Sequence, residues 1–324
     1  MTGIGIDVSK DSLAVAVARV DWTGEFPNSS AGHKQLVRAL KRRSQGPRRV
    51  VIEPTATYHL AIATLLANTA YFEVMIANPR TTANFAKALN QRGKTDAADC
   101  GMLAKYASTM PFVRWNPPSA AAVGLRSLVR RRLQLVRQRT MEKTRLKEAV
   151  ATGGDDIVIE DIEATLDFLD SRVAAMEKRA VELVRANQEL EEWRRRLCTI
   201  PGVADITALS VIAELVCLPS DIGAKQLTAM AGLDPQPRQS GMRDAARHIS
   251  KKGNKRLRTA LYLAAWNAAS FSPHVKAWKN QLIERGKAPN VAYVATARRL
   301  LVAMHHMTRT NSDWDGESFH ASVP

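Results

Sequence analysis

The sequence predicts an α/β unit followed by an all-α unit. Short β-rich runs alternate with helical patterns from Met1 to about Trp115, a strand-free, arginine-rich stretch runs from Ser119 to Val150, and a heptad pattern follows it. A chain of 324 residues suggests about two domains. The pattern divides it into an α/β domain over 1–116, a helical spacer over 117–197, a helical domain over 198–310 and a polar tail over 311–324.

The first strands are "GIGIDV" and "LAVAVARV", a hairpin around "SKDS"; "RRVVIE" is a third, buried strand and "FEVMIA" a fourth. Helical patterns separate the later strands at His33 to Arg43, Tyr58 to Asn68 and Thr81 to Asn90. Crossover helices between strands imply a sheet whose ligands sit at strand C-termini. Beyond "WNPPS" comes the basic helix with Arg130, Arg131 and Arg137, which "ATGGDD" ends. A second helix carries Ile162, Leu166, Leu169, Val173, Met176, Ala180, Leu183, Asn187 and Leu190 at alternating steps of four and three. This is a coiled-coil seam with Asn187 at a core position, suited equally to an antiparallel hairpin and to pairing between chains. "IPGVADITALSVIAEL" then reads as two helices around a Pro-Gly turn; Ala204 stands where a phosphate-binding hairpin has its second glycine, which favours a plain helix corner. The residues from Thr308 onward read as a loose tail.

Lys and Arg number 47 against 31 Asp and Glu, a formal charge of +16, which points to a polyanion such as nucleic acid. No membrane is expected: the apolar run Ile206 to Leu218 is broken by Glu214 and falls short of the roughly 20 residues of a bilayer span. The strand-like opening is no export signal, and three widely spaced cysteines make neither a disulfide framework nor a zinc knuckle, so a cytoplasmic location is expected.

Two features carry chemistry. Asp7 and Glu53 end the first and third strands, and Asp96 and Asp99, three apart in "KTDAADCGMLA", share a helix face. Four carboxylates in one place require a cation, and oxygen-only ligands on a phosphate-binding protein point to Mg²⁺ or Mn²⁺. Singly, each also serves as a cap or turn residue. The second feature is "GLDPQPRQSGMRDAARHISKKGNKRLR", where Ser240 lies among Arg238, Arg243, Arg247, Lys251, Lys252, Lys255, Arg256 and Arg258, with Asp244 the single acid from Arg238 to Arg258. A hydroxyl among cations can attack a phosphodiester. The plain alternatives are a turn hydroxyl and a run of phosphate-positioning cations. His248 is the nearest histidine, and a phosphate contact suits it better than a base.

"GIDVSKDSL", "VIEPTATYH", "KTDAADCGMLA", "IPGVADITALSVIAEL", "LTAMAGLDPQPRQSG" and "HISKKGNKRLR" together resemble the DEDD insertion-sequence transposases related to the Piv DNA invertases, from Met1 to roughly Ala269. The resemblance implies a RuvC-like, RNase-H-type N-terminal domain, a coiled-coil spacer and a C-terminal transposase domain with a nucleophilic serine. Carried over by position, the acids are Asp7, Glu53, Asp96 and Asp99 and the serine is Ser240. It further implies donor and target DNA as substrates, a structured bridge RNA as guide in some members, and a composite site across the protomers of a dimer to tetramer. Three rivals remain at this stage: a RuvC-like junction nuclease using the acids alone, an actin-like ATPase, and a nucleic-acid-binding protein without chemistry.

Overall fold

The computed structural model describes all residues except 19, 21, 44–45, 90–95, 219–221, 237–238, 241–242, 245–247 and 322–324; for 96, 239, 240, 243, 244 and 321 it describes the backbone only. The chain forms two compact units, Met1–Pro117 and Pro118–Pro324.

The first unit is built on a five-stranded sheet of β1 (Thr2–Val8), β2 (Ser12–Val17), β3 (Thr23–Pro27), β4 (Arg48–Glu53) and β5 (Phe72–Ile76). Its order is β3-β2-β1-β4-β5: the first three strands form an antiparallel meander, and β4 and β5 run parallel to β1 and β4. The expected strands are all present. β3 is additional: a polar edge strand with no buried residue, it lacks the apolar alternation that marks the others.

The two faces of β1 do different work because side chains alternate along a strand. Ile4, Ile6 and Val8 join Val50 and Ile52 in a core closed by Leu36 and Leu40 of α1 (Ser30–Arg43) and by Ile62 and Leu66 of α2 (Leu60–Ala67). The other face carries Gly3, Gly5 and Asp7. On this glycine floor lies α4 (Asp96–Thr109), so closely that a Cβ on Gly5 would stand 2.1 Å from the Cys100 carbonyl oxygen, and one on Gly3 2.1 Å from Ser108 Oγ. Ala16 of β2 packs beside Cys100 and Ala104 on the same floor. Leu103 and Tyr106 fill the space over Val51 and Ala77, and Phe85 of α3 (Pro79–Ala88) meets the Tyr106 ring edge-on at 5.1 Å.

The second unit opens with α5 (Ala120–Ala151), capped by Ser119 Oγ, which accepts from Ala122 N at 3.2 Å. A turn with Gly153 at φ +66° leads to α6 (Asp156–Arg185), which packs back along α5. The apolar seam is buried as expected at Ile162, Leu166, Leu169, Val173 and Ala180. Asn187 corrects that expectation. The helix stops at Arg185, and the Asn187 side chain accepts from Leu190 N at 3.1 Å to cap a new helix, α7 (Gln188–Leu197). The short amide satisfies an orphan N–H at a helix start better than it serves a core position.

α8 (Asp205–Leu215), α9 (Ala224–Ala231), α10 (Lys255–Phe271), α11 (Pro273–Glu284) and α12 (Pro289–Thr310) follow. They enclose a core in which Leu209, Ile212, Leu261, Ala264, Leu300 and Met304 are buried. Gly202, at φ +86°, turns the chain from α7 to α8, and a Cβ there would stand 2.7 Å from the Asn267 carbonyl of α10. This is the plain helix corner. The expected loose tail is also corrected: Trp314 N donates to Thr199 Oγ1 at 2.9 Å, and α13 (Gly316–Ala321) buries Phe319 against Trp278. Two aromatic anchors in an otherwise polar stretch are enough to dock it.

The glycine floor is testable by adding single methyl groups. Gly5→Ala should destabilise the protein by about 1–3 kcal/mol or more, because the nearest atoms are backbone. Gly101→Ala, which meets nothing within 4 Å, should stabilise α4 by about 0.5–1 kcal/mol. Urea unfolding of the two variants measures both.

Candidate active site

Asp7 and Glu53 are direct partners in the parallel β1–β4 register, both near the C-terminal ends of their strands. Same-register residues on parallel neighbours point to one face. Since Asp7 follows Gly3 and Gly5 at intervals of two, that face is the one α4 covers. α4 runs against the direction of β1, with Ser108 over Gly3 and Cys100 over Gly5. Its first turn, with Asp96 and Asp99, therefore points toward the end of β1 where Asp7 lies. Backbone placement thus brings the carriers of all four predicted acids to one rim. Asp7, Glu53 and Asp99 are half-buried, and Glu53 Oε2 accepts from Thr82 Oγ1 of α3 at 3.0 Å. Thr82 is 1% exposed and was not singled out from the sequence; only its seat on the helix after β5 brings it to the rim. Among the described residues no three His, Cys, Asp or Glu side chains form a metal-binding group, and the Asp96 side chain lies outside the described residues.

The described residues of the serine segment pair as the arms of a hairpin instead of lying in a loop. β6 (Pro235–Gln236) pairs with β9 (His248–Ile249), and β7 (Gln239–Ser240) with β8 (Arg243–Asp244). Ser240 and Arg243 are register partners on either side of positions 241–242, which puts the serine next to the tip. The base of the hairpin is bonded through Asp234: its carbonyl accepts from Ser250 N at 2.9 Å, its carboxylate accepts from Gln236 Nε2 at 2.7 Å, and Ser250 Oγ donates to the other carboxylate oxygen.

The predicted cations divide into two groups. Lys251, Lys252, Lys255 and Arg256 beside the hairpin, and Arg131 and Arg137 on α5, are exposed and available to phosphates. Arg258 donates to the carbonyls of Ala231 and Gly253 at 2.9 and 3.1 Å, which fixes the strap between hairpin and α10. Arg130, expected among the phosphate contacts, is half-buried and ion-paired. Its Nε and Nη2 both bond Glu214 at 2.9 Å, because a carboxylate in an apolar helix needs a charged partner. Arg238 and Arg247 lie outside the described residues, as do the side chains of Ser240 and Arg243. Two further α5 arginines serve the hairpin of helices: Arg132 pairs with Glu177 at 2.6 Å and Arg139 with Asp170 at 2.5 Å.

Glu214, which in the sequence only interrupts an apolar run, is the most buried carboxylate among the described residues of the second unit, at 3% exposure. It also accepts from Asn254 Nδ2 at 2.7 Å and from Arg126 at 3.4 Å. Burial pushes its carboxyl upward, but the hydrogen bonds from Arg130 and Asn254 and the charges of both arginines outweigh it and hold the group below the usual carboxylate range.

A family model described as Transposase matches residues 4–152, and one described as Transposase IS116/IS110/IS902 family matches residues 194–279. The pilin gene-inverting protein of Moraxella bovis is 28% identical over 321 residues, covering 97% of this chain and 98% of that protein; its counterpart in Moraxella lacunata is 27% identical over the same shares. The transposase for insertion sequence element IS1111A of Coxiella burnetii is 34% identical over 137 residues, 40% of this chain and 35% of that one. The molecule is a DNA recombinase or transposase enzyme. Within that class it carries the transposase domains of the IS110 family. Among the described residues no helix is long and apolar enough to cross a membrane.

A depressed carboxyl stabilises the fold above its unfolded pKa and loses that contribution as pH falls through its folded value. The stability of the second unit should therefore decline as pH drops through and below the ordinary value of 4.5. Thermal melts between pH 7 and 3 measure this, and Glu214→Gln should remove part of the slope.

Proposed function

We propose that the protein is a site-specific recombinase that cuts and rejoins DNA through Ser240, with a divalent cation held by Asp7, Glu53, Asp96 and Asp99. The observation that carries this reading is the facing of Asp7 and Glu53 in the β1–β4 register beneath the first turn of α4. The strand order β3-β2-β1-β4-β5 supports a RuvC-like, RNase-H-type domain.

The donor set is all carboxylate, which suits a hard cation such as Mg²⁺ or Mn²⁺. When bound, such an ion neutralises charge on a phosphodiester and stabilises the oxygens that enter and leave. The remaining work belongs to side chains. Thr82 holds one oxygen of Glu53 and so orients the other. Ser240 Oγ forms a bond to phosphorus as the phosphodiester's bond to the leaving DNA oxygen breaks; the serine proton passes to solvent and the leaving oxygen takes one up. A free hydroxyl of a second strand then attacks the phosphoserine, the new phosphodiester forms, and Ser240 recovers its proton. Exposed Lys251, Lys252, Lys255 and Arg256 bind the flanking backbone. The phosphoserine keeps the phosphodiester's energy, so resealing needs no external source. Rejoining two sites calls for a dimer to tetramer, and a structured bridge RNA that pairs with donor and target would supply sequence choice, the protein reading shape and backbone.

Ser240→Ala should bind DNA as the parent does and form no covalent protein–DNA product on a nicked duplex in Mg²⁺, read by denaturing gel. Undiminished cleavage by this variant would favour the metal-only junction nuclease instead. Asp7→Asn should lower cleavage by at least about 100-fold, the scale of removing one electrostatic stabiliser, with DNA affinity changed little.

A further inference from the structure

We propose that Glu214 is a positioning residue for the serine chemistry: its carboxylate ties the basic helix α5 to the N-terminus of α10 and so holds the base of the Ser240 hairpin in place. This rests on Ser240 being the nucleophile.

Glu214 sits in α8 among buried Ala208, Leu209, Ile212, Ala213 and Leu215. An apolar side chain would fill that position with no desolvation cost, and replacing buried ion pairs with apolar groups often leaves stability unchanged or improved. What a carboxylate adds is direction. It receives Arg126 and Arg130 from α5 on one side and Asn254 from the start of α10 on the other.

Asn254 is the link to the hairpin. Its Oδ1 accepts from Arg256 N at 3.0 Å and Leu257 N at 3.2 Å, capping α10, while its own N–H donates to the Met230 carbonyl at 2.7 Å. With Oδ1 occupied by the cap, the Nδ2 hydrogens point away from the helix, and Glu214 takes one of them. Next to it, Gly253 lies so near Met230 that a Cβ would stand 2.1 Å from the carbonyl oxygen. Lys251 N then bonds the Gly232 carbonyl at 3.1 Å, and Ser250 N bonds that of Asp234 at 2.9 Å, where the hairpin begins. Directional contacts thus run from Glu214 to the hairpin base, over the strap that carries exposed Lys251 and Lys252. Neither Glu214 nor Asn254 need touch the phosphodiester for this.

The test uses the full chain, purified with its copurifying RNA, and a nicked duplex taken from the DNA flanking its coding sequence, in Mg²⁺. Asn254→Asp keeps the cap, since Asp and Asn cap equally well, but removes the donor and sets a carboxylate against Glu214. Asn254→Ser keeps a cap without the added charge. Both should lower covalent adduct per bound DNA at least tenfold, with DNA affinity within twofold of the parent. A merely structural role would change the folded fraction, read by circular dichroism, in step with adduct. Wild-type adduct yield from folded Asn254→Ser overturns the proposal. Ser240→Ala run in parallel separates the two ideas: adduct from that variant would sink the serine assignment itself.

Discussion

The contact on which the first unit depends is the seating of α4 on the bare backbone of β1. Two glycines on one face of a central strand, Gly3 and Gly5, let a helix approach to where a single methyl group would collide with its carbonyl oxygens. Side chains usually separate helix from sheet. Their absence here brings helix backbone directly onto strand backbone, and backbone is much less adjustable than a rotamer. The third position on the same face is Asp7, so the packing that lets the helix come close also directs its acidic first turn toward an acidic strand end. Leu103, Tyr106 and Val51 pack below the rim and hold the helix there.

The second unit is organised by charge in a different way. α5 is strongly basic, yet its arginines divide by direction: Arg132 and Arg139 reach the acids of α6, Arg126 and Arg130 reach buried Glu214, and Arg131 and Arg137 remain outward. A helix repeats every 3.6 residues, so neighbours in an arginine run face different surroundings. The exposed cations collect instead around the hairpin that carries Ser240, where the backbone, through Asp234, Asn254 and Arg258, is bonded from several sides.

Much of the fold was legible because its signals are local. The buried strand read from "RRVVIE" matches β4 residue for residue, and the apolar seam of α6 is buried where the heptad places it. The facing of Asp7 and Glu53 followed from the rule that ligands gather at strand C-termini, and the register agrees with it. Errors arose where one residue type has two physical uses. Asn187 suits both a heptad core and a helix cap, and only the chain's break at Arg185 decides between them. Trp314 and Phe319 were too few to outweigh the polar residues around them, although two anchored rings suffice once a complementary surface exists.

The amino-acid sequence by itself determined most of the strands and helices, the basic character of the molecule, and which acids and which serine are the candidates, because periodicity, charge and motif are properties of neighbours along the chain. Tertiary structure alone decided which face of β1 carries Asp7 toward α4, that Thr82 holds Glu53, and that Glu214 faces Arg130 and Asn254. Those partners lie 29 to 84 positions apart, a separation over which sequence pattern carries no information and only packing can choose.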